Sequence, residues 1–153
     1  MEDRKKTFGA CILRRRRELG MTQKAFAEKL YVTAPAVNKW ENGETVPNTE
    51  TLKLLSKFFD VSINTLLGSP RTLYCQCCGM PLQDDYISRE PDGAFNEEYC
   101  KWCYADGKFA YQSVEEIVDY LAEHLSNDEY PKEEARKDYE KRIPLLKHWR
   151  KDS

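Results

Sequence analysis

The chain has 153 residues and a formal net charge of −2, enough length for one ordinary domain or two small ones. No stretch approaches the roughly 18 apolar residues of a membrane span, and no apolar signal core follows the basic N-terminus, so we expect a cytoplasmic protein without membrane contacts. The charge is uneven, because residues 1–70 carry +4 and residues 71–153 carry −6. A basic N-terminal half favours binding to a phosphate backbone, although ordinary solvated charge explains the same count.

The first 67 residues show the pattern of five short helices. Gly20 is expected to end the first helix, Thr22 and Thr33 to cap the second and third, Gly43 to close the third, and Ser62 to cap the fifth. Spacings of three and four residues predict the buried faces. These faces comprise Phe8, Ile12 and Leu19; Phe26, Ala27 and Leu30; Val37 and Trp40; Leu52, Leu55, Phe58 and Phe59; and Ile63, Leu66 and Leu67.

Two short helices joined by a tight turn occupy Thr22 to Gly43, an arrangement that lets the second helix enter a major groove. This run, TQKAFAEKLYVTAPAVNKWENG, resembles the lambda-repressor-like, Xre-type helix-turn-helix family, and the resemblance extends over about residues 8–67. A small helical bundle used for protein contacts remains the alternative. The expected domains are a DNA-binding domain over 1–68, a linker over 69–73 and a second domain over 74–150.

The resemblance implies that Thr33 to Asn42 is the recognition helix. Lys39 is expected to donate to guanine, Asn38 to pair with adenine, and Ala34 or Pro35 to touch a thymine methyl group. Gln23 and Asn42 match positions that contact phosphates in this family. The complete set of expected DNA-binding residues is Gln23, Thr33, Ala34, Pro35, Asn38, Lys39 and Asn42.

Three further positions follow from the same resemblance. Arg16 and Glu41 match a pair that forms a buried salt bridge in relatives. Tyr31 stands where the family commonly has a turn glycine, which predicts a strained or differently shaped turn.

Five of the six cysteines lie between residues 75 and 103, in two Cys-x-x-Cys turns. Two such turns supply the four sulfurs of a tetrahedral zinc site, which predicts one structural zinc ion on Cys75, Cys78, Cys100 and Cys103. A redox dithiol and an iron–sulfur site are the alternatives. Cys77 lies inside the first turn and is interpreted as a spare thiol. His124 and His148 are expected to lie on helices away from the cysteine turns.

The run CQCCGMPL, with NEEYCKWCYADGKF and IPLLKHW after it, resembles a bacterial zinc-ribbon family over about residues 74–150. Its cysteine region is predicted to form short strands with too small a core to fold without metal. One helix is expected from Ser113, with Glu116 in a capping box, and another from Pro131 until Pro144 interrupts it. The predicted fold class is therefore mainly α: a five-helix lambda-repressor-like domain, then a small zinc ribbon of short β-strands followed by helices.

Three function classes compete for this sequence. The leading hypothesis is a sequence-specific transcriptional regulator that binds double-stranded DNA as a homodimer, since one recognition helix covers only a half-site, with the zinc domain serving assembly or sensing. The second is a protein-interaction adaptor in which the zinc ribbon and helical tail bind a protein partner. The third is a thiol-based redox protein using Cys77. No catalytic set is visible and a four-thiolate zinc site has no open position, so no enzyme activity is expected.

Overall fold

A computed structural model describes residues 2–150, and the side chain of Glu2 is not described within it. The chain forms two compact units. The first runs to Thr72 and includes Gly93–Phe95, and the second comprises Leu73–Asp92 and the residues from Asn96 onward. No helix in residues 2–150 has the length and apolarity that crossing a membrane requires.

The first unit contains the five predicted helices. They are α1 (Glu2–Glu18), α2 (Gln23–Lys29), α3 (Ala34–Glu41), α4 (Thr49–Phe59) and α5 (Ile63–Leu66). The predicted caps are confirmed, because the hydroxyl groups of Thr22, Thr33 and Ser62 each accept a hydrogen bond from the backbone N–H three residues later. Each cap satisfies an N–H group that has no partner within its own helix.

Most of the predicted apolar set lies in the core of the first unit: nine of its residues are buried, and Leu52, Phe58, Phe59 and Leu67 are half-buried against them. Phe8, Phe26 and Trp40 are buried together with Ile12, Ala27, Leu30, Val37, Leu55 and Leu66. Leu19 was expected on the buried side of the first helix, and that prediction is wrong: α1 ends at Glu18, and Leu19 is 54% exposed in the turn that follows. Once the chain leaves the helix, its periodicity no longer directs the side chain toward the core.

The second unit begins with three pairs of short strands. Strand β1 (Leu73–Tyr74) pairs with β2 (Pro81–Leu82), β3 (Ile87–Arg89) with β4 (Phe95–Cys100), and β5 (Tyr104–Ala105) with β6 (Lys108–Phe109). The first and third pairs are antiparallel. A cysteine turn follows β1 and another follows β4, so the strands place both turns in one small ribbon.

Two helices and a short 3-10 turn complete the second unit. They are α6 (Val114–Leu125), α7 (Lys132–Arg142) and the 3-10 turn Ile143–Leu145. The predicted cap of α6 is confirmed, since Ser113 Oγ accepts from Glu116 N at 3.1 Å. The Glu116 carboxylate in turn accepts from Gln112 N at 2.7 Å, one residue earlier than the usual capping box.

The residues that follow the 3-10 turn, up to residue 150, fold back onto the ribbon. His148 N donates to Gln76 O at 3.2 Å, and Trp149 Nε1 donates to Cys77 O at 2.8 Å. The expectation that His148 lies on a helix away from the cysteine turns is therefore wrong. Pro144 stops α7 and the chain then reverses toward the first turn, which a helical pattern does not reveal.

Candidate nucleic-acid interface and candidate metal centre

The candidate interface is built on α3, whose inner face anchors it in the first unit. Val37 and Trp40 are buried, while Asn38 and Lys39 between them are exposed. Helix α1 approaches α3 closely at Gly9, where a Cβ atom would lie 2.3 Å from Trp40 O. Only glycine permits this approach, and it fixes how α3 sits on its support. The sequence analysis did not identify this role of Gly9.

Six of the seven predicted DNA-binding residues lie on α3 or at its caps, and Gln23 lies on α2. Thr33 and Asn42 are the N-cap and C-cap of α3, so its bounds agree with the predicted recognition helix. Thr33, Pro35 and Asn42 are exposed like Asn38 and Lys39, Ala34 is half-buried, and Gln23 is half-buried at the start of α2. The role of these residues in DNA binding remains a prediction.

A hydrogen-bonded network fixes α3 against α1 and α2. Arg16 binds the carboxylate of Glu41 with two nitrogens, Nε to Oε1 at 2.5 Å and Nη2 to Oε2 at 3.1 Å. A third nitrogen, Nη1, donates to Met21 O at 2.6 Å. The hydrogen bond to Glu41 raises the pKa of Arg16 above its usual range. Two-point pairing of a planar guanidinium with a carboxylate defines orientation as well as distance.

The same carboxylate connects to an expected base-reading residue. Gln23 Nε2 donates to Glu41 Oε2 at 2.7 Å and to Asn38 Oδ1 at 3.3 Å. These two bonds use both hydrogens of the Gln23 amide. Gln23 therefore links the buried salt bridge to the exposed side chain of Asn38, a connection between residues 15 positions apart that the sequence analysis did not predict.

The turn before α3 is strained. Tyr31 adopts a φ of 57° and its side chain is 88% exposed. Left-handed backbone is unfavourable for residues other than glycine, which agrees with the strain expected from a tyrosine at a glycine position.

The four predicted zinc ligands come together. The Sγ atoms of Cys75, Cys78, Cys100 and Cys103 all lie within 4.8 Å of one another, and those of Cys78 and Cys100 are 3.9 Å apart. Four sulfurs at about 2.3 Å from one zinc ion would be about 3.8 Å apart at tetrahedral angles. The donor set and its spacing therefore fit one zinc ion after small shifts of the sulfurs.

The close packing of these thiols also indicates a cation site. Hydrogen bonds from Cys100, and then from Cys103, lower the pKa of Cys75, whereas hydrogen bonding to Cys100 raises the pKa of Cys103. Four sulfurs this close together would repel one another if all were ionised without a cation. A bound dication replaces the thiol protons, which is how thiolate ligands are balanced in metal sites.

Backbone geometry shapes the first cysteine turn. Gly79 has a φ of 83°, and its N–H donates to Cys75 O at 2.8 Å, while Cys75 N donates to Met80 O at 2.8 Å. Cys77 is fully buried beside the cluster but does not belong to the four-sulfur group.

The second cysteine turn lies against an aromatic cluster. Phe109 lies 4.9 Å from Tyr99, 4.7 Å from Tyr104 and 4.4 Å from His148, measured between ring centroids. Burial lowers the pKa of His148, so its neutral ring packs readily in this small core.

Comparison with known proteins finds a matching family for each half of the chain. Residues 74–150 match the family described as "Putative zinc ribbon domain", and residues 12–66 match the family described as "Helix-turn-helix". The chain is 52% identical over 48 residues to the HTH-type transcriptional activator BcrR of Enterococcus faecalis. That match covers 31% of this chain and 24% of the relative, so the similarity is confined to a quarter of the relative's length. No solved structure matches the chain.

Proposed function

Since this chain belongs to the zinc-ribbon family through residues 74–150 and carries a helix-turn-helix region before them, we propose that it is a sequence-specific DNA-binding transcriptional regulator of the cytoplasm. The observation that carries the proposal is α3 itself. It exposes Asn38 and Lys39 on one side while Val37 and Trp40 anchor the other side. An exposed helix with polar side chains on a rigid support is what major-groove reading requires.

Two side chains of α3 carry the base reading in this proposal. Lys39 supplies a charged donor for guanine O6 or N7, and Asn38 supplies the amide that pairs with adenine. The bond from Gln23 to Asn38 Oδ1 supports this role, because it orients the Asn38 amide before DNA arrives. A side chain oriented in advance loses less entropy on binding.

Phosphate contacts hold the helix in register. Both side-chain N–H groups of Gln23 bind Glu41 and Asn38, so we assign its phosphate contact to the backbone N–H at the start of α2. Helix N-termini present such N–H groups to anions. Asn42 and the Thr33 hydroxyl complete the phosphate contacts, and Ala34 and Pro35 supply apolar contacts at the tip of α3.

The acidic second unit has a different role in the proposal. Residues 71–153 carry a net charge of −6, which disfavours contact with a phosphate backbone. We assign it assembly or sensing, with two copies of the chain presenting two recognition helices to the half-sites of one operator.

The test of base reading is selection of bound sequences from a random duplex pool by the zinc-loaded full chain. Lys39→Ala and Asn38→Ala are expected to weaken binding to the selected site by about 1–3 kcal/mol each and to relax the preference at one base pair. Lys53→Ala is the matched control, because it removes the same charge from an exposed position on α4. Its sequence preference should be unchanged.

Two results would contradict this function. An unchanged selected sequence and affinity in Lys39→Ala would show that α3 does not read bases. Absence of salt-sensitive DNA retention by the full chain would favour a protein-interaction adaptor instead.

Truncation after Gly68 tests the role of the second unit. The truncated chain is expected to lose both dimers and operator affinity when sedimentation and DNA binding are measured on the same samples.

A further inference from the structure

The second unit has a partly open cavity of about 620 Å³ between its cysteine turns and its helices. Cys78 and Pro81 border it on the ribbon side, and Leu121 of α6 and Ile143 after α7 border it on the helical side. Cavities that bind small organic molecules commonly have volumes of about 300–1,000 Å³. The size and the concave shape suit a small molecule enclosed by three structural elements.

The lining is mainly apolar, includes several aromatic rings and is incompletely buried. Trp102 is 51% exposed, Tyr120 is 43% exposed and Leu125 is 53% exposed, although all three line the cavity. Tyr120 stacks on His124 with ring centroids 4.2 Å apart, and Tyr111 lies 5.6 Å from Tyr120. A row of ring faces partly open to water favours a flat apolar ligand that covers them.

Charge at the cavity selects among such ligands. Arg142 is the lining residue with a permanent charge, and its guanidinium lies 5.2 Å from the ring centroid of Tyr139. Within residues 2–150, no carboxylate forms an ion pair with Arg142. Lys101 Nζ lies 5.0 Å from the ring centroid of Trp102, but Lys101 does not itself line the cavity. The guanidinium of Arg142 beside the rings favours an anionic group at its side of the cavity over a cationic one.

The sulfurs of the metal site fix the direction of such a ligand. Cys100 and Cys103 border the cavity and are buried, whereas Arg142 is exposed. An anionic group would be repelled by thiolates and attracted by the guanidinium. The apolar body therefore lies inward and the anionic group outward.

We propose that this cavity binds a small aromatic molecule that carries one anionic group, such as a carboxylate or sulfonate. The rings of Trp102, Tyr111 and Tyr120 cover its flat body, and Arg142 binds its anionic group. A ligand of this class would serve the sensing role proposed above. Only the biological purpose of the cavity depends on that role, because the binding test uses no DNA.

Two dyes that differ in one group provide the test. The probes are 8-anilinonaphthalene-1-sulfonate and N-phenyl-1-naphthylamine, which is the same ring system without the sulfonate. Each is titrated by calorimetry into the zinc-loaded full chain, whose zinc content and circular dichroism are checked for every variant. The anionic dye is expected to bind at one molecule per chain, more tightly than the neutral dye.

Variants distinguish the contribution of the Arg142 charge to dye binding from that of the cavity itself. Arg142→Met should weaken the anionic dye about 10-fold and leave the neutral dye unchanged, because it removes one charged hydrogen-bond donor. Lys137→Met is the matched control, since it removes one exposed charge from the same helix outside the cavity lining. Leu125→Trp places a larger side chain at the partly exposed mouth and should weaken both dyes.

Each contrary result overturns the proposal. Equal loss of both dyes in Arg142→Met, or unchanged affinity for the anionic dye, would remove the assigned role of Arg142. Unchanged binding in Leu125→Trp would place the dyes elsewhere. Absence of binding, with a dimer in sedimentation that Leu125→Trp dissociates, would identify the cavity as a contact between two copies of the chain. DNA binding can succeed or fail independently of all these results.

Discussion

The salt bridge between Arg16 and Glu41 should dominate the stability of the first unit. Its side chains are only 11% and 4% exposed, and Glu41 accepts from both Arg16 and Gln23. Glu41→Gln keeps the size of the side chain but leaves the Arg16 guanidinium without its counter-charge. Removing one partner of a buried ion pair costs about 3–5 kcal/mol, because the remaining charge has lost its solvation.

The magnitude is large relative to the whole fold. Domains are stable by about 5–15 kcal/mol, so Glu41→Gln should remove roughly a fifth or more of that free energy of unfolding. Replacing both partners by apolar residues, as in Arg16→Met with Glu41→Leu, removes the buried charges together. The double variant should be clearly more stable than the sum of its single changes implies, although Gln23 also loses its acceptor at Glu41.

Amide hydrogen exchange of the zinc-loaded full chain measures this effect within the first unit. The amides of Val37 and Trp40 report on the core side of α3. A loss of 3 kcal/mol corresponds to exchange about 100-fold faster for amides that exchange by unfolding of the unit. Strict additivity of the two single changes, or a cost below about 1 kcal/mol for Glu41→Gln, would refute the dominant role of the pair.

Further expected outcomes concern the turn and the metal site. Tyr31→Gly should raise the urea midpoint of the first unit by relieving a φ of 57°, a gain of about 1 kcal/mol, while Tyr31→Ala, which keeps the strain, should not. Cys77→Ala should retain one zinc ion per chain in elemental analysis, because four other sulfurs form the cluster, whereas Cys78→Ala should lose it. Chelation of zinc should abolish exchange protection over residues 74–109 while α1–α5 stay protected, and equal loss in both units would contradict independent domains.

Local signals explain what the sequence could predict. Helix bounds near Thr22, Thr33 and Ser62 depend on a side chain and a backbone N–H three residues apart, so the chemistry is visible in a short segment. The cysteine turns are equally local, and a single ion explains why they meet. The helices, the ribbon and the four ligands were therefore predictable from residue type and spacing.

Contacts between distant segments were not predictable in the same way. Gly9 is required because Trp40 O lies against it, and no periodicity in α1 indicates this. Leu19 has an apolar side chain at a helical spacing, yet the helix stops one residue earlier. The cavity depends on how Tyr120 and Arg142 face the cysteine turns, which only the packing of α6 and α7 determines.

The apolar residues after α7 are relevant to how two copies of the chain would assemble. Leu145, Leu146 and Trp149 are apolar residues that follow α7; Trp149 donates to Cys77 O, 72 residues away, and is half-buried. Leu146 is likewise half-buried and lies near Gly79, whereas Leu145 is 72% exposed. Most of this apolar group therefore serves the ribbon, whose own core is too small to be stable alone. One exposed leucine covers little surface compared with the roughly 800 Å² per partner of a stable interface. If the second unit holds two copies together, it must do so mainly through a surface other than this tail.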